Sequence, residues 1–276
     1  MSDSEKPKSS RWGIIINYCI SIDRKCKSIE QHLGQCAILN ILGHAGRPIA
    51  FLSIIVLMLS YMLGVDERRM QAENQRKAKH YQAWQVISAA HGKTGSGGRK
   101  DALQDLHNDG ISLAGVDISK AYLPRLKLEN ADLSEANFSN AILYEANLSE
   151  TNFRLAILCD TDLHDADLSD TNLQNTNLYK AHLTFADMSG ADLKYADLSD
   201  TDLWFSDLSG AILTDIKGWQ NINDISNAYI HGVKDPPKGF VEWAIEHGAF
   251  SNANREEWEK LKRKKRQEQE KKEQQK

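Results

Sequence analysis

Residues 131–150 read ADLSEANFSNAILYEANLSE, four five-residue blocks in succession. Each block places a small residue first and an apolar residue third: Ala131 and Leu133, Ala136 and Phe138, Ala141 and Leu143, Ala146 and Leu148. A period of five matches neither a helix, near 3.6, nor a strand, at about 2. It fits a chain that turns a corner every five residues and points both of those positions inward. The rhythm runs outward from this stretch without a slip, from Leu113 to Leu213, giving 21 apolar centres. Internal repetition takes precedence over any other structural reading.

Energetics explain why the repeat is long. Fixing five residues costs about 5–10 kcal/mol of backbone entropy at ~1–2 each, whereas burying one leucine returns only ~1.5–3. A lone repeat cannot fold. Coils stacked about 4.8 Å apart can, because each adds ladder hydrogen bonds and closes the core above its neighbour. Ala or Thr at the second inward position sets a size limit, since leucine at both would overfill a narrow cylinder.

The pattern A(D/N)LxX, as it stands in ADLSE (131–135), ANLSE (146–150), ADLSD (166–170) and ADLSD (196–200), resembles the pentapeptide-repeat family. The resemblance covers residues 111–215. It implies an all-β repeat solenoid, a right-handed quadrilateral parallel β-helix with four repeats per coil. The flanks, with HYQAWQVI before the repeats and GVKDPPKGFVEWAIEHGA after them, also look like those of membrane-anchored bacterial members. The family is functionally diverse, so the fold says little about activity.

Upstream, IAFLSIIVLMLSYMLGV (49–65) carries 17 residues without a charge. About 20 residues cross a hydrocarbon core of roughly 30 Å, so this run sits at the short limit. Arg47-Pro48 starts it and DERR (66–69) stops it, and the pattern predicts one N-terminal transmembrane helix, Ile49–Val65. A removable signal peptide fits poorly so far into the chain. Arg68, Arg69, Arg76, Lys77 and Lys79 follow the span and only Arg47 closely precedes it, which favours the repeat body on the cytoplasmic side of a single-pass protein. Six Lys/Arg between Lys6 and Lys27 count against that orientation.

The remaining segments follow from composition. Residues 1–48 hold two weaker apolar stretches, 14–22 and 33–45, suited to the interface or to packing beside the anchor. Residues 66–110 read as a juxtamembrane helix, a flexible glycine-rich hinge at GKTGSGG (92–98), and a short helix, 99–109. The GKT is no phosphate loop, because the position that should hold the first glycine is Ile87. Residues 216–254 read as a C-terminal cap: a closing coil around NAYIHG, then a short helix that covers an end which would otherwise template aggregation. Residues 255–276 form a charged tail, helical or disordered, and expected to be solvated.

Charge is segregated. Residues 111–215 carry 18 Asp/Glu against 6 Lys/Arg, a balance of −12, while the tail from Arg255 carries 10 Lys/Arg against 6 Glu. An acidic body argues against direct binding of nucleic acid. The four cysteines show no metal-binding spacing, and neither a cofactor nor a metal site is expected.

Four repeats per coil stack residues 20 apart on one face. Sorted so, the face centred on Leu123, Leu143, Leu163, Leu183 and Leu203 gathers most of the outward aromatics. Tyr122, Ile142, Tyr144, His164, His182, Phe185, Trp204 and Phe205 form a wall, and a contiguous apolar patch is informative where scattered residues are not. The wall predicts a protein-binding surface for an unidentified partner, a second copy, or the chain's own juxtamembrane helix through Trp84. Shielding of the ladder or packing under the C-terminal cap is the competing account. The next face stacks Asp167, Asp187 and Asp207, which repel one another. His164 and His182 lie near Asp162 and Asp165, but a filled prism lacks the pocket that catalysis needs, so no enzyme is expected. The reading is a non-enzymatic, membrane-anchored scaffold that presents a rigid rod for protein–protein interaction. The resemblance supplies an alternative, an acidic DNA-mimic rod that modulates a DNA-binding enzyme such as gyrase.

Overall fold

The computed structural model describes residues 46–90, 93–252 and 254–273. The chain divides into two units, Met1–Asn74 and Gln75–Lys276. The expected interfacial stretches at 14–22 and 33–45 lie outside the described residues. In the first unit the described part is the start of helix α1 (Gly46–Ala89). Among the described residues no helix is long and apolar enough to cross a membrane. The expected span at 49–65 is therefore not supported there: side chains are described from Ile55 on, and after Val65 the charges of DERR end the apolar run.

In the second unit the repeats form parallel bridges at a constant offset of 20 residues. Asp117 pairs with Asn137, Tyr122 with Ile142, Lys127 with Asn147 and Asp132 with Asn152, one pair for each of four faces. Backbone bonds alternate around each pair, as in Leu123 N–H to the Ile142 carbonyl and Ile142 N–H to the Ala121 carbonyl, both 2.8 Å. The strands are single bridges because the chain turns again within five residues.

Two local devices make that turn. The outward Asp or Asn accepts the N–H two residues on, as Asp117 Oδ1 does from Ser119 at 3.0 Å and Asn137 Oδ1 from Ser139 at 3.0 Å. The residue two after each centre adopts a left-handed backbone, from Lys120 (φ 56°) and Asn130 (φ 61°) to Asp215 (φ 51°). Asn, Asp and Gly recur at this position because they enter the left-handed region most readily. Inside, Leu and Phe centres and their Ala partners are buried throughout. Where Thr replaces Ala its hydroxyl donates to a carbonyl, as Thr151 does to Leu128 at 2.8 Å and Thr161 to Phe138 at 2.9 Å.

Both ends are closed. At the N-terminal end Ala83 and Ile87 of α1 and Leu103 and Leu106 of α2 (Arg99–Asn108) join the core. The glycine-rich stretch between them is not a free hinge. Gly95 bridges to Ala121, and the fully buried Arg99 donates to the carbonyls of Ala90 (3.1 Å), Lys93 (2.9 Å), Gly95 and Ser96 (3.2 Å). Gly95, Gly97 and Gly98 take positive φ there, which explains the composition without invoking flexibility.

At the other end the offset grows to 22: Asp202 pairs with Asp224, Asp207 with Tyr229 and Ile212 with Lys234. Two extra residues enter at the 3₁₀ turn Trp219–Asn221, so Ile225 and Ile230 resume the rhythm out of step with Leu213. Helix α3 (Phe240–Glu246) then covers the last coil with Phe240 and Ala244. The turn is entered by Gly218 at φ 66°, where a Cβ would stand 2.8 Å from Ser199 Cα. Gly218→Ala is expected to lower stability by about 1–3 kcal/mol, read as a shifted urea midpoint.

The tail is solvated on one side only. It forms helix α4 (Arg255–Glu273), and Trp258 on it is fully buried.

Candidate functional site

The twenty-residue sort places Tyr122, Ile142, Asp162, His182 and Asp202 on one continuous ladder, with the remaining wall residues beside it. The structure then divides the wall in two. Its N-terminal half is open. Tyr122 is exposed, Ile142 and Tyr144 are half-buried, and the two tyrosine hydroxyls stand 3.0 Å apart with their rings edge-on. The hydrogen bond shared with Tyr122 raises the Tyr144 pKa. Next to them Arg125 holds Glu145 with two bonds, 2.6 and 3.2 Å, and that guanidinium lowers the Glu145 pKa. His182 is exposed on the ladder, between Asp162 and Asp202.

The C-terminal half is covered. Phe185 and Phe205, read from the sequence as outward and exposed, are 2% and 0% accessible. They stack at 5.5 Å, with Trp204 edge-on to both at 5.1 and 4.8 Å and His164 edge-on to Phe185 at 5.7 Å. The occupant is α4. Trp258 stacks on Tyr229 at 5.0 Å and donates its indole N–H to the Asn227 carbonyl at 2.7 Å. Trp84, one of the three occupants the sequence offered, packs against the core with Ala83 and Ile87.

Cations on α4 meet the acidic face. Arg255 binds Asp207 at 2.5 Å and Ser209 at 3.0 Å, and its guanidinium lies 5.7 Å from the Tyr229 ring centre. Two and three turns further along, Lys262 lies 4.7 Å over Trp258, and Arg266 pairs with Asp165 while lying 5.3 Å over Phe185. Sequence reasoning found the stacked aspartates and predicted their repulsion, but missed that the chain's own tail supplies a counter-charge to Asp207, and one to Asp165 beside them. The signal was present in the tail as Arg255, Trp258, Lys262 and Arg266, one stripe at helical spacing.

Burial of Lys262 lowers its pKa against the opposing pull of Asp207 and Asp187. A lysine whose docked pKa is depressed binds fewer protons docked than free, so docking strengthens as pH rises toward the ordinary lysine value near 10.4. Lys262→Met is expected to remove that dependence, measured as α4 protection from protease at pH 7 against pH 10.

Phe185 and Phe205 also hold left-handed backbones, φ 61° and 56°. At this turn position such a conformation costs a bulky residue roughly 1–2 kcal/mol. Their burial beneath α4 offsets that strain.

Comparison with known proteins extends the description. The model for pentapeptide repeats matches residues 111–149, 143–175 and 176–215. Among solved structures, HetL, a pentapeptide repeat protein involved in heterocyst differentiation regulation from the cyanobacterium Nostoc sp. strain PCC 7120, is 31% identical. The match covers 44% of this chain and 55% of HetL, with a TM-score of 0.32, so this chain spans about half of HetL's length. The alr5209 pentapeptide repeat protein from Nostoc PCC 7120 is 30% identical over 38% of this chain and 82% of its own, with a TM-score of 0.34. QnrB1, a plasmid-mediated fluoroquinolone resistance protein, is 17% identical over 52% of this chain and 88% of its own, with a TM-score of 0.26. No curated protein matches. The matched repeat copies and the twenty-residue ladder agree: this chain belongs to the pentapeptide-repeat family, and its repeat body is the right-handed β-helix of that family.

Proposed function

We propose that the chain is a non-enzymatic interaction scaffold, tethered to a membrane through Ile49–Val65, with the outer wall of its repeat body as the binding surface. The observation that carries the scaffold reading is a filled interior closed at both ends. Such a body offers a partner only its outside, and Tyr122, Ile142 and Tyr144 are the part of the aromatic wall left open. Tethering draws on α1, where Ile55, Val56, Leu57, Leu59, Met62 and Leu63 are all exposed. Apolar residues on every side of a helix call for a cover that hydrocarbon provides and water does not. The excess of Lys/Arg after the span puts the repeat body on the cytoplasmic side.

Membrane fractionation with crosslinking tests both parts. The chain is expected to stay in the membrane pellet through an alkaline wash and to leave it in detergent; recovery in the wash sinks the tether. A crosslinked partner should be recovered with the unaltered chain and lost from the Tyr122→Ala/Tyr144→Ala variant. Recovery indifferent to that pair sinks the open wall as the binding surface.

A second reading, an acidic rod that imitates duplex DNA toward an enzyme such as gyrase, draws on the −12 balance of the repeats. Against it stands the basic helix lying across Asp165 and Asp207. Competition of the chain with DNA for a topoisomerase separates the readings, and no inhibition at high concentration removes the second.

A further inference from the structure

Helix α4 is not needed to close the solenoid. Phe240 and Ala244 of α3 already cover the last coil and belong to the main core, whereas Phe185, Phe205, Tyr229 and Trp258 form a separate cluster. The two phenylalanines, at the left-handed position that the turns of the repeat share, therefore build a surface feature apart from the core. That feature is a seat for a helix, with one aromatic anchor point and a row of carboxylates along its length.

Helix α4 also fits this seat incompletely. A cleft of about 280 Å³ remains beneath its middle, lined by Asp165, Asp167, Asp187 and Phe185 from the wall and by Glu259, Lys262, Arg263 and Arg266 from the helix. Glu259 is the one carboxylate that α4 brings to the cleft, and it also pairs with Arg255 at 3.6 Å. Among the described residues Asp167 and Asp187 make no ion pair, while Asp165 and Asp207 do. Arg266 Nε is buried there without a hydrogen-bond partner. Only Trp258 and Leu261 supply apolar side chains along α4, so a single aromatic anchor carries most of the apolar contact.

We propose that the Phe185–Phe205 wall with Asp165 and the Asp167–Asp187–Asp207 row is a docking groove for a basic amphipathic helix of a partner protein, and that α4 is its resident, displaceable occupant. The fitting partner carries an aromatic anchor with cations one and two turns beyond it, as α4 does at Trp258, Lys262 and Arg266. It carries a cation where α4 has Glu259, next to the unpaired Asp167 and Asp187. Displacement exposes the covered half of the wall and extends the open Tyr122–Tyr144 surface. This inference rests on the scaffold reading and names the chemistry of the partner.

The test uses the full chain in neutral detergent and two labelled synthetic peptides, one with the sequence of residues 255–273 and one with the same sequence carrying E259K. By fluorescence anisotropy the E259K peptide is expected to bind the unaltered chain about tenfold more tightly, because the one carboxylate α4 brings to the cleft becomes a cation facing Asp167 and Asp187. Asp187→Lys in the chain should erase that advantage, and a scrambled peptide of equal composition should not bind. Equal binding of the two peptides, binding that survives Asp187→Lys, or binding of the scrambled peptide overturns the proposal. Hydrogen exchange on the unaltered chain gives an independent check that needs no variant to fold. Amides of 255–273 are expected to exchange at least ~100-fold faster than those of the coils, as a locally released element does. Exchange of α4 together with the coils marks a fixed strap and overturns the proposal. If these tests fail while crosslinking still depends on Tyr122 and Tyr144, the scaffold reading stands and only this inference falls.

Discussion

Trp258→Ala is expected to release α4 while the coils stay folded. Trp258 is the only fully buried side chain on that helix, and it joins a ring stack at 5.0 Å to a hydrogen bond at 2.7 Å. Truncating a buried tryptophan costs about 3–5 kcal/mol. The ion pairs left behind do not replace it, because Arg255 and Arg266 stay nearly half exposed to water even though Asp207 and Asp165 are largely covered. The loss is local, since the Trp258 cluster is separate from the main core. Limited proteolysis should cut within 255–273, an apolar dye should bind the newly open Phe185 and Phe205, and the far-ultraviolet signal of the coils should hold. A variant whose α4 remains protected would show that the salt bridges, not the anchor, hold the helix.

Arg99→Met is expected to have the largest effect on the fold itself. The guanidinium is fully buried, and burial lowers its pKa from the ordinary arginine value. It supplies donors to four carbonyls from the stretch between α1 and α2. A buried carbonyl left without a donor costs about 1–3 kcal/mol, and with water admitted to part of the site we expect a loss of about 3–5 kcal/mol. Because coils contact only their neighbours, loss of the cap frays the solenoid from the first coil inward. Hydrogen exchange should accelerate first at Leu113–Ala121 and reach Phe205 last, with the urea midpoint lowered. Arg99→Lys should recover only part of the loss, since an ammonium cannot present the planar fork that reaches four acceptors.

The two variants differ in what each residue closes. Trp258 fastens an element to the outside of a finished prism. Arg99 organises the lid on which the first coil is built. Screening for one as a proxy for the other would mislead.

The period-five rhythm determined the prism because everything that makes a turn is local in the chain. An aspartate accepts the N–H two residues on, the left-handed residue stands two after each centre, and the inward pair recurs every five. The four faces, the offset of 20 and the neighbours on the aromatic wall follow from counting alone. Only the tertiary structure decided which half of that wall is open. Arg255 reaches Asp207 across 48 residues and Arg266 reaches Asp165 across 101, and no local pattern records such distances. A stripe of one tryptophan and three cations reads the same on a docked helix as on a solvated one; the difference lies in whether an acidic, aromatic surface stands opposite. The same holds for Arg99, a surface residue by composition, whose burial depends on four carbonyls converging from a glycine-rich turn.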